Sequence, residues 1–440
     1  MARRVIGTLV VATVFALALL SSRTAYPETL QAVANPEQLG FDAVRLQRVG
    51  KVFQDYVDAK KLPGAVILIA RNDKVAYFQA FGFQDREKQI AMTTNSIFRI
   101  ASMTKPVVTA AAMMLVEEGR LDLAAPVFQY LAEFKDVRVA GENRNANGEN
   151  ADLDLEPQKR PMTIQDLMRH TAGLVYGVFG DGPVHKAYRA ANVTDRNQTL
   201  AEMVIKLSKL PLAHQPGDVW EYSMATDVLG RIIEVVSGQP LDVFVEERIT
   251  KPLGMDSTGF YVREPDVGRL AQPQINPASG ERPAMPDVTV NPRWLSGGGG
   301  MVSTPADYLR FAQMMLNGGT WGGTRFLSSS TTALMTSDAL PPGLAYSERA
   351  KTLMADLAPM PAAGQGFGLG FAVRTAAGRN PLPGSIGTFY WTGAYGTTFW
   401  IDPAEKLIGI MMIQAPLAET PQYRRAMRYL TYQALLTTRE

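Results

Sequence analysis

The chain has 440 residues, 46% of them hydrophobic and 20% charged, an ordinary globular composition at a length that can build a large core or a two-lobed body. Its formal net charge of +2 sets up no field for capturing nucleic acid, and the absence of cysteine excludes a disulfide frame, a thiolate metal site and a cysteine nucleophile. The three histidines, His170, His185 and His214, have no paired spacing, so neither a metal nor a cofactor is expected.

Arg3 and Arg4 precede the apolar run from Val5 to Leu20, and Ala32-Val33-Ala34 offers a small-x-small cleavage site. The run is short for a membrane span, which takes about 20 apolar residues. Residues 1–34 therefore read as a signal peptide and the product as exported, periplasmic or secreted, with an uncleaved N-terminal anchor as the alternative. No later segment has the pattern of a span.

Phe41 to Lys61 carries Leu46, Val49, Val52, Phe53 and Val57 at helical spacing. Pro63-Gly64 ends it, and two β-rich runs, Ala65 to Ala70 and Val75 to Phe81, flank an Asn-Asp-Lys turn as a hairpin. A helix follows from Ser102 to Gly119, apolar on every face from Val107 to Leu115 and so expected to be buried. The chain then reads as mainly helical to about residue 290, with a polar loop at 141–161 and a Pro-rich loop at 261–293. Four glycines, Gly297 to Gly300, suit a close backbone approach, and Thr304-Pro305 caps a helix. Strands are expected at Gly368–Val373, Gly384–Trp391, Gly396–Ile401 and Leu407–Ile413, then a last helix from Gln422 to Leu436.

Strands at both ends and helices between predict an α+β fold. An antiparallel sheet is assembled from about 35–110 and 295–440 and flanked by helices, with a mainly helical lobe, about 111–294, inserted. Residues 35–440 then form a single catalytic domain.

Ser102-Met103-Thr104-Lys105 is the one Ser-x-x-Lys tetrad in the chain. A three-residue helical step sets serine and lysine on one face, and a lysine kept uncharged by burial can take the serine proton. The helix start adds free N–H groups that favour developing negative charge. Alone, such a tetrad is a weak signal; its bland reading is a serine cap followed by a surface lysine. Two segments strengthen it. Tyr222-Ser223 lies in a loop leading into the helix Asp227–Val236, and Trp391-Thr392-Gly393-Ala394 lies in the strand region, where an edge with small residues can offer an N–H to an oxyanion.

The ordered set Ser102-x-x-Lys105, Tyr222-Ser223 and Trp391-Thr392-Gly393 resembles the penicillin-recognising serine hydrolases, above all the class C β-lactamases and the family VIII carboxylesterases. Phe98-Arg99-Ile100-Ala101, Met162 to Leu167, His170-Thr171-Ala172-Gly173-Leu174 and Gly396-Thr397 extend the likeness from about residue 40 to the C-terminus. The resemblance implies a β-lactamase/transpeptidase-like fold and an acyl-enzyme on Ser102. Lys105 and Tyr222 would move protons, and the N–H groups of Ser102 and Ala394 would form the oxyanion hole. Trp391, Thr392, Gly393 and Met224 would contact substrate; Tyr176 reads either as a further pocket residue or as an ordinary half-buried aromatic.

Two departures bear on the substrate. The third motif begins with lysine in β-lactamases and with Trp391 here; the second ends there in asparagine and here in Met224. A cation for a β-lactam carboxylate and an amide for its side chain are both gone, which favours a small-molecule ester over a charged antibiotic. A tryptophan at the first of these positions is common among the family's esterases. A β-lactamase, a D-amino-acid peptidase or amidase, and a non-catalytic envelope binding protein are the rivals.

Other motifs have plainer readings. No Gly-x-Ser-x-Gly elbow exists, and Gly297–Gly300 lack the lysine and Ser/Thr of a phosphate loop. His170 reads as a buried residue satisfying its turn rather than a triad base, and His214 as a loop residue.

Overall fold

Every residue of Gly64–Arg71 (β1) is buried, as befits a strand whose two faces are both covered. The computed structural model describes residues 35–141, 154–276, 279–353 and 359–436. The signal-peptide reading of residues 1–34 and most of the expected 141–161 loop lie outside them. β1 pairs on one side with its hairpin partner Lys74–Asp85 (β2), which continues to Ile90–Ala91 (β3). On the other side it pairs with a strand from the far end of the chain.

That far end supplies Gln365–Phe367 (β4), Ala372–Arg374 (β5), Phe389–Thr392 (β6), Thr398–Asp402 (β7) and Leu407–Met412 (β8). The eight strands run antiparallel in the order β4-β5-β6-β7-β8-β1-β2-β3. The expected sheet built from both termini is therefore the one observed. A buried ion pair stitches the two contributions: Arg71 meets Glu405 at 2.6 Å and also donates to the Leu39 carbonyl at 3.0 Å.

Five helices pack on the sheet or on one another around it: Ala43–Asp58 (α1), Thr104–Glu117 (α2), Ala225–Ser237 (α3), Pro305–Leu316 (α4) and Thr420–Tyr432 (α5). In α1 the predicted stripe turns inward, with Leu46, Val49, Phe53 and Val57 buried. α1 and α5 pack on each other and on the sheet, while α4 packs on β1, β7 and β8. α2 is buried from Thr104 to Leu115, the fate its all-round apolar sequence demands, and lies against α3. One continuous core runs from Leu39 to Ala434.

The middle of the chain is less helical than its pattern suggests. Ile164–Met168, Pro183–Ala190 and Leu200–Leu207 are short, and the 261–293 stretch holds only a 3-10 turn at Glu264–Arg269 among its described residues. Three expected strands also start late, at Ala372, Phe389 and Thr398. The residues ahead of Phe389 form a turn, with Gly384 and Gly387 at φ of 143° and 85°. Arg374 and Arg428 hold that turn through the Gly384 and Pro383 carbonyls at 2.6 and 2.9 Å.

Candidate active site

Ser102 sits in a 3-10 turn, Ala101–Met103, at the mouth of α2. Ala101 just before it has φ of 44°, in the left-handed region that costs a residue with a Cβ about 1–2 kcal/mol. The turn is braced from several sides. Ile100 N–H donates to the Met301 carbonyl at 3.0 Å, Tyr308 of α4 donates to the Met103 carbonyl at 2.9 Å, and Met301 N–H reaches Thr104 Oγ1 at 3.1 Å.

One helical turn on, Lys105 is buried, and its Nζ lies 3.3 Å from Ser102 Oγ. Tyr222, 120 positions later, donates from its hydroxyl to Ser102 Oγ at 2.6 Å. Lys105 and Tyr222 also touch each other, with Nζ 4.6 Å above the Tyr222 ring centre. The three residues singled out for catalysis thus converge on one oxygen.

Lys105 has two further partners. Nζ donates to the Gly298 carbonyl at 2.6 Å and lies 3.1 Å from the Tyr176 hydroxyl. Tyr176 in turn faces Asp227 Oδ2 at 3.5 Å, the outer limit of a hydrogen bond. The other carboxylate oxygen of Asp227 accepts from Ser296 Oγ at 2.5 Å and from Gly298 N–H at 3.1 Å. Burial pushes the Asp227 carboxyl above its ordinary value, opposed by Lys105 and these donors. Burial, then Asp227 and Tyr222, push the Tyr176 phenol well above its own.

Asp227 and Ser296 were not legible as site residues, although the glycine run was expected to approach other backbone closely. A Cβ on Gly298 would sit 2.6 Å from the Tyr176 hydroxyl, and one on Gly297 2.5 Å from the Thr226 carbonyl. The available signal was an aspartate inside the apolar run of α3, just before Val228 and Leu229.

The third motif packs across the serine turn. β6 ends at Thr392 and abuts Ala101–Met103, while Thr397 Oγ1 donates to the Ile100 carbonyl at 3.1 Å. Gly393 N–H donates to the Thr397 carbonyl at 2.8 Å, which closes the turn that carries Ala394. A side chain on Gly393 would collide with Thr397 Oγ1 and the Ile100 carbonyl.

Aromatic rings wall the site. Tyr222 lies 5.4 Å from Trp391, 5.5 Å from Tyr176 and 6.1 Å from Phe179, and Trp391 meets Phe367 edge-on at 5.3 Å. Met224, expected to line the pocket, is instead fully buried in the core, where its carbonyl accepts the Asp227 N–H at 2.9 Å at the start of α3.

His170 is buried behind Tyr222, edge-on at 4.9 Å, and its polar contact is Ser223 Oγ at 3.4 Å. Burial, with Lys105 nearby, pushes its imidazole well below the ordinary value, so the ring is neutral. Its turn hangs from Asp166, which accepts from Arg160 at 2.6 Å, Arg169 at 3.0 Å and Thr171 at 2.8 Å and boxes the Thr163 cap. Against the opposing effect of burial, these partners hold the Asp166 carboxyl down to about 2.

The chain is similar to known proteins over most of its length. The beta-lactamase family model matches residues 49–433. Protein Rv1367c of Mycobacterium tuberculosis is 38% identical over 82% of this chain and 88% of its own length. Esterase EstB of Burkholderia gladioli is 33% identical over 87% of this chain and 93% of its own. The solved structure of EstCE1, a hydrolase with promiscuous acyltransferase activity, superposes with a TM-score of 0.73 at 28% identity, covering 90% of this chain and 99% of that one.

Proposed function

The chain belongs to the beta-lactamase family of serine hydrolases, and from that premise we propose that it is an exported carboxylesterase that cleaves small, short-chain esters through an acyl-enzyme on Ser102. The observation that carries this reading is the meeting of Lys105 and Tyr222 at Ser102 Oγ, 3.3 and 2.6 Å away, beside the ring of Trp391. In attack, the Ser102 O–H bond breaks, its proton passes to the Lys105–Tyr222 pair, and Oγ bonds to the acyl carbon. The N–H groups of Ser102 and Ala394 receive the oxyanion. Collapse expels the alkoxide, which takes the proton from the same pair, and a water then repeats the sequence to free the acid.

The choice of ester rests on the wall. Trp391 stands where the β-lactamases place a lysine; its ring is buried with Phe367 and packs against Tyr222, so an aromatic ring replaces a cation beside Ser102. The likeness to esterase EstB supports the same choice. Export rests on the leader read in residues 1–34. Among the described residues, no helix is long and apolar enough to cross a membrane.

The deciding experiment is hydrolysis of a short p-nitrophenyl ester by protein lacking residues 1–34, beside Ser102→Ala. Turnover that vanishes in the variant supports the esterase. A wild-type protein inert to the ester but active on a β-lactam or a D-peptide overturns it.

A further inference from the structure

A neutral lysine amine has two N–H bonds and one lone pair, and the partners of Lys105 decide where each points. The Gly298 carbonyl can only accept, so it takes one N–H. The Tyr176 hydroxyl has a single proton. If that proton goes to Asp227 Oδ2, Tyr176 can only accept from Lys105 and takes the second N–H. The lone pair is then left facing Ser102 Oγ, whose proton it must receive. If instead the Tyr176 proton points at Lys105, it occupies the lone pair and the base is blocked.

We propose that Asp227 is the positioning residue of this site: through Tyr176 and the Gly298 turn it aims the Lys105 lone pair at Ser102, then faces the ammonium that forms there. The inference rests on the serine hydrolase reading and adds an orienting carboxylate to it. The arrangement is specific. Asp227 is fully buried, and its Oδ1 is occupied by Ser296 and the Gly298 N–H, which leaves Oδ2 to Tyr176. The Gly298 peptide accepts from Lys105 on one side and donates to Asp227 on the other, so carboxylate and amine are tied through one peptide as well as one phenol. The titratable groups around the pair are Tyr176, Tyr222 and His170, and His170 is held neutral. Asp227 is the one carboxyl group in that set, and Lys105 favours its ionised form against the effect of burial.

In Asp227→Asn the amide would donate to the Tyr176 oxygen and turn the phenol proton toward Lys105, closing the lone pair. This is the same logic by which a wrong tautomer silences a triad histidine.

The test reads the rate at which a fluorophosphonate labels Ser102 as a function of pH. This reports activation of the nucleophile whatever the natural substrate is. We expect Asp227→Asn to label about 100-fold more slowly, with the ascending limb moved to lower pH by about one unit, because the cation formed on Nζ has lost its compensating charge. Tyr176→Phe keeps the buried carboxylate with its other two donors and should move the rate the same way. The double variant should be no slower than the slower single one.

Profiles that superimpose on the wild type, or losses that multiply in the double variant, overturn the proposal. If Asp227→Asn does not fold, Tyr176→Phe alone decides it: an unchanged profile there means that no wire passes through the phenol. Absence of labelling in the wild type would sink the serine hydrolase reading itself. Labelling without ester turnover would sink only the choice of substrate.

Discussion

Tyr222 and Ser102, 120 positions apart in the chain, share a 2.6 Å hydrogen bond, shorter than the 3.3 Å from Lys105 to the same oxygen. The tyrosine reaches it from a loop on the helical side, while the serine stands at the head of α2 against the sheet. Catalysis therefore depends on how these two parts are packed together.

Replacing Ser102 with alanine should lower ester hydrolysis about a thousandfold or more, since the nucleophile is gone. A variant within tenfold of wild-type kcat/KM would remove Ser102 from the mechanism.

Tyr222→Phe and Lys105→Ala should each lose most of kcat while circular dichroism stays native. Activity should also rise from neutral to mildly alkaline pH, since the group that takes the serine proton must be unprotonated. An acid-peaked profile would count against a Lys–Tyr pair as the proton acceptor.

Trp391→Lys puts a cation beside Tyr222 where an aromatic wall now stands. The ratio of β-lactam to ester turnover should increase, read from kcat/KM for each substrate. An unchanged ratio would mean that this wall does not select the substrate.

Asp166 offers a test of stability. Its carboxyl titrates near 3.8 in the unfolded chain and near 2 in the folded one, so between those values the unfolded state binds more protons. The stabilisation is complete above the unfolded value and disappears as pH falls toward the folded one. Asp166→Asn should cost about 2–3 kcal/mol at neutral pH, and the gap to wild type should close between about pH 4 and pH 2 in urea titrations. A gap that does not change with pH would show that the ionised carboxylate contributes nothing.

Gly393→Ala should damage kcat more than KM, because the new methyl drives the Ala394 turn away from Ile100 and with it an oxyanion donor. Equal losses in binding and turnover would place the effect elsewhere.

Much of this was legible because the informative patterns are local. The hairpin, the all-apolar α2 and the short apolar C-terminal runs each specify their own secondary structure within a few residues, and their order along the chain is enough to predict one sheet from two ends. The tetrad and the Tyr222 loop are equally local. Asp227 is different: nothing in Ala225–Ser237 says what its carboxylate meets, because Tyr176, Ser296 and Gly298 come from other segments. Met224 misled for the opposite reason. Its neighbour Tyr222 faces the nucleophile, but two residues on the chain has begun a helix and turned the side chain into the core. The late start of β6 was hidden likewise, since the arginines that hold the preceding turn lie on β5 and α5.

The pairing of Arg71 with Glu405, 334 positions later, has a consequence for how the molecule comes into being. β1 is synthesised long before β8, one of its two neighbours in the sheet. Until then the first hairpin has an open edge and no possible mate, and closing so long a loop is slow. The nascent chain must therefore be kept from pairing that edge with other chains, and any truncation short of β8 leaves it permanently exposed as a site for aggregation.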